Sequence, residues 1–263
     1  MSRDPRVWRY MDLLSLLYLL QNKELHFSQL RDLQEYDHNE GTGGLLIDVV
    51  NDPIRPSINV YPSNPDQELR NKEEIQKIEE ELKIPLSEKL ARYKKQVKDW
   101  DRENANVYIS CWHTNPIDSD FMWRVYAKHE YGFAIVSSAQ DVVSSLLVDG
   151  IEPAKIGWGF IVYPTQDELI RDRLDEYFGN FAAFMIKHPS FAHENEFRVF
   201  VKAREQVDSC DMKVNLNKLI HEIRLSPLVP GWADGPLLKT LNPICEQNGI
   251  TLIKPNKINL RTI

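Results

Sequence analysis

The sequence predicts an α+β fold with a mostly antiparallel sheet, packed helices and an inserted charged helical hairpin. Strand-like and amphipathic stretches alternate over residues 106–253, but at irregular spacings that are untypical of a parallel, doubly wound sheet. Residues 66–104 are instead rich in Glu, Lys, Gln and Arg and sparse in apolar positions. With 263 residues, of which 42% are hydrophobic, the chain can bury a sizeable core, and we expect a single domain over residues 1–263.

The first third of the chain is predicted to hold a helix, a strand and the hairpin. Apolar positions in residues 11–20 form one broad face, as in a buried helix, and residues 24–30 alternate as in a short strand. Residues 35–62 contain a Gly-rich loop and three prolines, which predict irregular structure. Residues 66–104 predict two amphipathic helices that meet at Pro85. We interpret this hairpin as a solvated layer on the domain, with a lid or a partner surface as the alternative.

The remaining two thirds are predicted to form the regular core. Strands are expected at 106–112, 131–138, 154–164, 195–203, 219–227 and 249–253, and helices at 119–129, 139–147, 165–188 and near 232–247. Thr165 and Glu168 match a capping box at the start of the longest helix. Ser137 and Ser138 precede an amphipathic run, so that an N-cap explains them without any functional role.

Composition favours a soluble, cytoplasmic protein. The formal net charge of -7 gives no basic footprint for a phosphate backbone, which disfavours nucleic acid as a partner. Cys111, Cys210 and Cys245 lie far apart and are odd in number, which suits reduced thiols. The longest apolar stretch, 11–20, is too short to span a bilayer, contains Asp12 and lacks a signal-peptide cleavage site. We therefore expect no membrane partner.

The stretch KHPSFAHENEFRVF, residues 187–200, carries the strongest candidate chemistry. Glu194 and Glu196 are two residues apart, and on a strand they would share one face and could line one pocket. Arg198 would lie on the same face. The alternative to a catalytic pair is a cross-strand ladder of salt bridges among these three side chains.

The order of the motifs resembles a bacterial family of unassigned role, the domain of unknown function 2971. The matching motifs are Trp8-Arg9-Tyr10, Phe27-Ser28, the loop residues Asp37, Glu40 and Gly41, the helix residues Met122, Trp123 and Tyr126, the strand residues Gly132, Ala134 and Ile135, the triad Glu194, Glu196 and Arg198, and a late strand from Ile223 to Pro227. They cover nearly the whole chain. His38 stands where the family pattern has a proline, and the loop from Ser28 to Glu40 is longer than in that pattern. The family name supplies no activity.

A second resemblance is to ADP-ribosyltransferases of the Arg-Ser-Glu type, because an arginine, serines and a Glu-x-Glu motif follow in that order. It implies that NAD is bound as a substrate and that ADP-ribose is transferred to a protein or nucleic-acid acceptor or hydrolysed, as in a bacterial toxin or a phage-defence effector. Glu196 would be the main catalytic carboxylate and Glu194 its neighbour, since a carboxylate stabilises the positive charge that develops on the ribose. The implied cofactor-binding residues are Arg9, Tyr10, Ser28, Trp123, Tyr126, Ser137 and Arg198, and no metal is implied.

Other functions stay open at this point. A metal-dependent nuclease or phosphodiesterase could use Asp37, Glu40, His193 and the two glutamates, and a non-catalytic ligand-sensing or interaction protein could use the hairpin as its partner surface. The alternative for Arg9 is a surface arginine at a helix start, and the helical spacing of Met122, Trp123 and Tyr126 is more typical of core residues than of a cofactor site. We discount a thiol nucleophile at Cys111 activated by His113, on the expectation that the two side chains point to opposite faces of a strand.

Overall fold

The computed structural model describes residues 4–33, 88, 95, 98–99, 102–115, 119–127, 131–147, 156–164, 182–207 and 210–253. Contacts between Cα atoms divide the chain into unit 1, residues 1–32, 106–162 and 190–263, and unit 2, residues 33–105 and 163–189. The loop with Asp37, Glu40 and Gly41 and nearly all of the hairpin lie outside the described residues. The single-domain organisation and the hairpin therefore stay predictions.

The described strands of unit 1 join into one sheet. Its strands are β1 (Arg6–Met11), β2 (Glu24–Gln29), β3 (Val107–His113), β4 (Phe133–Ser138), β5 (Ile156–Phe160), β6 (Glu196–Lys202), β7 (Cys210–Lys213), β8 (Glu222–Leu225) and β9 (Thr251–Ile253). The order is β5-β6-β3-β1-β4-β8-β9, and β2 pairs with both β3 and β7. Only β8 and β9 are parallel among these described pairs. The predicted α+β class with a mostly antiparallel sheet is confirmed.

Four of the described helices begin at a side-chain cap. The described helices are α1 (Leu13–Asn22), α2 (Leu30–Leu33), α3 (Asp120–Tyr126), α4 (Ala139–Ser145), α5 (Ala182–Met185), a 3-10 helix (Pro189–Glu194), α6 (Leu216–Leu219) and α7 (Gly231–Gln247). The Asp12 carboxylate accepts from the Ser15 amide at 2.7 Å and caps α1. The Ser138 hydroxyl accepts from the Asp141 amide at 3.1 Å, which confirms the N-cap of α4. None of the described helices is both long and apolar enough to cross a membrane.

Three local predictions were wrong. Residues 6–11 form strand β1 rather than a helix start. Apolar clusters pack on both faces of this strand, so most of its residues are buried and no clean alternation marks it. The strand expected from residue 195 begins at Glu196, since Glu194 ends the 3-10 helix. Of the helix expected at 165–188, residues 182–185 are helical, residues 186–188 are not, and 165–181 lie outside the described part.

The two faces of the sheet carry different clusters. The main core gathers on one face, where Val7, Trp112 and Phe197 pack with residues of α1, α4 and α7. On the opposite face, Trp8 and Tyr10 form a smaller cluster with Met122 and Trp123 of α3. Because α3 has only seven residues, its place on the sheet depends on this aromatic packing.

Gly157 on β5 provides a test of the sheet packing. It pairs with Phe200 on β6, and a methyl group at Gly157 would overlap the buried Phe200 ring. We expect Gly157→Ala to lower the free energy of unfolding by about 1–3 kcal/mol through overpacking, measured by urea denaturation. Gly235→Ala in α7, where a methyl group meets no atom within 4 Å beyond its chain neighbours and its own helix, is the control. It should change the free energy of unfolding by less than about 1 kcal/mol, because Pro236 restricts the residue before it and offsets the gain in helix propensity. Equal effects at both positions would contradict this account.

Candidate functional site

A buried ion pair lies on β6. Glu196 and Arg198 are two residues apart on this strand and share a face. The arginine holds the carboxylate with two hydrogen bonds, from Nε to Oε1 at 2.6 Å and from Nη2 to Oε2 at 2.9 Å. The two side chains are 1% and 2% exposed for Arg198 and Glu196, respectively. Both carboxylate oxygens of Glu196 are therefore engaged by Arg198 of the same strand.

Glu194 has a different position and a different partner. It is the last residue of the 3-10 helix, and Asn195 follows in the left-handed region with a φ of 44°. The Glu194 carboxylate, on a residue that is 4% exposed, accepts a hydrogen bond from the Tyr126 hydroxyl at 2.5 Å. The expectation that Glu194 and Glu196 share a strand face is wrong, because Glu194 belongs to the 3-10 helix and β6 begins only at Glu196.

Tyr126 stands at the end of α3 and donates its hydroxyl proton to Glu194. Burial, and then the negative charge of Glu194, raise the pKa of Tyr126 far above its ordinary value. The phenol thus keeps its proton at any physiological pH. Since that proton is used in the bond to Glu194, the hydroxyl can offer only its lone pairs to a further partner.

His113 was missed as a site residue by sequence reasoning. Its Nδ1 lies 3.0 Å from the Glu194 carbonyl oxygen, and its ring centroid lies 4.9 Å from that of Tyr126 and 5.8 Å from that of Tyr10. The argument that set Cys111 and His113 on opposite faces was wrong, because residues two apart on β3 share a face. The alternation of side chains along a strand, applied correctly, places His113 on the same face of β3 as Cys111 and would have marked His113 as a candidate.

The end of β3 is tied to the bend that follows Glu194. The backbone amide and the hydroxyl of Thr114 both donate to the Asn195 carbonyl, at 2.8 Å and 2.7 Å. The Asn195 side-chain amide donates to Asn115 Oδ1 at 3.2 Å, and the Trp8 indole donates to the Asn115 carbonyl at 2.8 Å. These bonds fix the Asn195 conformation, which a residue other than glycine adopts only at a cost.

Arg9 faces the other side of the sheet. Trp8 pairs with His113, and His113 pairs with Glu196, so these three share a face and Arg9, next in β1, points to the opposite one. The Arg9 guanidinium donates to the Ser110 hydroxyl at 2.6 Å and to the His26 carbonyl at 2.8 Å. It thereby bridges β1, β3 and β2. Burial lowers the pKa of Arg9 to about 10, and the group remains protonated at neutral pH.

A cleft opens where β1 and β2 both meet the same edge of β3. Its volume is about 690 Å³, and its walls are β1, the first turns of α1, β2 and Tyr126 of α3. Four of the predicted cofactor-binding residues line it: Arg9, Tyr10, Ser28 and Tyr126. Three carboxylates, those of Asp12, Glu24 and Asp211, also line it. The cleft is therefore mixed in charge and rich in aromatic rings.

The other predicted site residues lie elsewhere. Trp123 is buried and packs edge-on against Tyr10, with ring centroids 4.8 Å apart. Ser137 is buried on β4 opposite Val7 of β1. Arg198 is held by Glu196. Of the predicted set, the structure thus joins the four cleft residues, with Glu194 directly behind Tyr126.

Among the described residues, no group of three or more His, Cys, Asp or Glu side chains could hold a metal ion. His193, which the nuclease alternative invoked, has its Nδ1 3.0 Å from the Ser190 carbonyl and packs edge-on against Phe121. Asp37 and Glu40 lie outside the described residues.

One family model matches the chain, over residues 122–199, and its description is protein of unknown function (DUF2971). This match confirms the resemblance to that family, and the matched segment contains Trp123, Tyr126, Glu194, Glu196 and Arg198. Comparisons with curated proteins and with solved structures gave no match. The likeness to ADP-ribosyltransferases stays a prediction.

The buried ion pair predicts a large asymmetry between single and double substitutions. Arg198→Met removes both hydrogen bonds that the guanidinium donates to the buried Glu196 carboxylate, and we expect the free energy of unfolding to fall by about 3–5 kcal/mol. The double variant Glu196→Met, Arg198→Met should recover most of that loss, since neither charge then needs compensation. Chemical denaturation of both proteins measures this. A double variant as unstable as Arg198→Met would show that the pair is not the source of the effect.

The raised pKa of Tyr126 predicts a loss of stability at alkaline pH. Above about pH 10, the ordinary pKa of tyrosine, the unfolded phenol ionises while the folded phenol keeps its proton. The unfolded state then binds fewer protons, so the free energy of unfolding falls as the pH rises. Tyr126→Phe should make this fall shallower in urea denaturation between about pH 9 and about pH 11. Equal pH slopes for wild type and variant would refute this contribution of Tyr126.

Proposed function

We propose that the protein binds NAD in the cleft between β1, α1, β2 and Tyr126 and cleaves the nicotinamide–ribose bond, with transfer or hydrolysis of ADP-ribose. The observation that supports this most is the convergence of Arg9, Tyr10, Ser28 and Tyr126 on one cleft, with Tyr126 bonded to Glu194. The volume of about 690 Å³ lies in the usual range of small-molecule sites, roughly 300–1,000 Å³.

The mixed charge of the cleft suits a ligand that carries both signs. NAD combines an anionic pyrophosphate with a cationic nicotinamide ring. Arg9 uses two N–H groups for Ser110 and His26, and a guanidinium has five, so it can still donate to a phosphate. Asp12 and Asp211 favour the cationic ring, and Tyr18, which is 40% exposed, offers an aromatic face for it.

The Tyr126–Glu194 pair supplies the negative charge that bond cleavage needs. Because its proton is committed to Glu194, the Tyr126 oxygen can accept a hydrogen bond from a ribose hydroxyl. Nicotinamide leaves with the electron pair of its bond to C1′, and the nucleophile of water or of an acceptor bonds to C1′ and loses a proton. While the bond to nicotinamide breaks, Glu194, which is bonded to Tyr126, stabilises the positive charge that develops on the ribose. This assigns to Glu194 the part that the sequence pattern gave to Glu196, whose oxygens face Arg198.

NAD binding and nicotinamide release test this proposal. We expect NAD to raise the melting temperature of the wild-type protein, and Tyr126→Phe and Glu194→Gln to lower nicotinamide release by about a hundredfold, as for the loss of one preorganised polar group in an active site. Phe121→Leu is the matched control, since Phe121 is half-exposed on the same helix and should leave release unchanged.

The outcomes separate the alternatives. A melting shift without release would make the protein a ligand-binding module rather than an enzyme. Neither shift nor release in the wild type would end the NAD proposal. If a folded Tyr126→Phe protein releases nicotinamide at the wild-type rate, the Tyr126 hydroxyl takes no part in the cleavage and the proposed site is wrong.

A further inference from the structure

We propose that His113 is a positioning residue, which holds the bend at Glu194 and Asn195 so that the Glu194 carboxylate meets Tyr126. The effect of His113 on NAD cleavage depends on the proposed function. Its effect on the position of Glu194 does not. The bond from His113 Nδ1 to the Glu194 carbonyl is 3.0 Å long, and His113 is 4% exposed.

The direction of this hydrogen bond is fixed by its chemistry. A backbone carbonyl can only accept, so His113 Nδ1 must carry the proton and donate it. At 4% exposure little water competes for either group, which makes the bond stronger than on the surface. The carbonyl that it holds belongs to the residue whose carboxylate accepts from Tyr126.

Two consecutive residues hold two consecutive carbonyls. His113 binds the carbonyl of Glu194, and Thr114 binds that of Asn195 through its amide and its hydroxyl. Asn195 has a φ of 44°, a conformation that needs support from its surroundings. Without the His113 bond, Thr114 still holds Asn195, but the Glu194 peptide can turn, and its carboxylate moves with it.

The imidazole ring also lies between the two tyrosines of the cleft. Its centroid is 5.8 Å from that of Tyr10 and 4.9 Å from that of Tyr126, and both tyrosines line the cleft. His113 thus sets the backbone that carries Glu194 and supports the ring that Glu194 binds. It does not line the cleft, so its influence on a ligand runs through these neighbours.

The matched variants His113→Asn and His113→Gln test the inference. Asparagine places an N–H donor close to the position of Nδ1, and glutamine places it one carbon further away. With tyrosine labelled at the ring carbon that bears the hydroxyl, we expect the Tyr126 resonance, assigned with Tyr126→Phe, to keep its wild-type position in His113→Asn. In His113→Gln it should move towards its position in Glu194→Gln. An unchanged resonance in His113→Gln would overturn the inference.

If His113→Gln does not fold, a measurement on the wild-type protein still tests the hydrogen bond from His113 to the Glu194 carbonyl. Nitrogen-15 spectra of the histidine side chains report which ring nitrogen bears the proton. We expect a protonated Nδ1 for His113, and an unprotonated Nδ1 would exclude the bond to the Glu194 carbonyl.

Kinetics of nicotinamide release provide the functional test. We expect His113→Gln to lower kcat by about tenfold to a hundredfold with KM near its wild-type value, the cost of a misplaced group that does not itself bind substrate. His113→Asn should restore most of the kcat. An equal loss in both variants, or a change confined to KM, would refute the positioning role. A wild type that neither binds nor cleaves NAD would refute the proposed function alone, because the two spectroscopic tests still decide on His113.

Discussion

The bend at Glu194 and Asn195 is the constraint on which the candidate site depends. It ends the 3-10 helix and starts β6, and it sends two neighbouring glutamates to different partners, Tyr126 and Arg198. A regular strand would have placed both carboxylates side by side on one face, where their like charges repel. The bend instead gives one carboxylate a structural cation and the other a phenol at the wall of a cleft.

The sequence predicted the sheet class and most of the strands, because alternating and continuous apolar runs mark them. It did not predict β1, since the main core covers one face of this strand and the smaller cluster the other, and burial on both faces removes the alternation that identifies a strand. The bend at Asn195 was also beyond prediction, because it is fixed by Thr114 and Asn115, about eighty positions earlier in the chain. Local patterns cannot report such a contact.

The candidate site was predicted in part for the same reason. The resemblance to ADP-ribosyltransferases implied seven cofactor-binding residues, and four of them, Arg9, Tyr10, Ser28 and Tyr126, line one cleft. The different roles of Glu194 and Glu196 depend on which side chains lie next to them, Tyr126 and Arg198, and a single sequence does not report such contacts. Arg9 illustrates what the sequence did not predict. It lines the same cleft as Tyr126, but its side chain points to the opposite side of the sheet from Glu196.

The small aromatic cluster under α3 has a thermodynamic consequence for the site. A helix of seven residues is not stable alone, so α3 keeps its shape only while Met122 and Trp123 stay packed on Trp8 and Tyr10. The main core lies on the other face of the sheet and does not include these contacts. Local opening of α3 therefore costs less free energy than global unfolding. When α3 opens in this way, Tyr126 leaves the cleft while the sheet and the main core remain native.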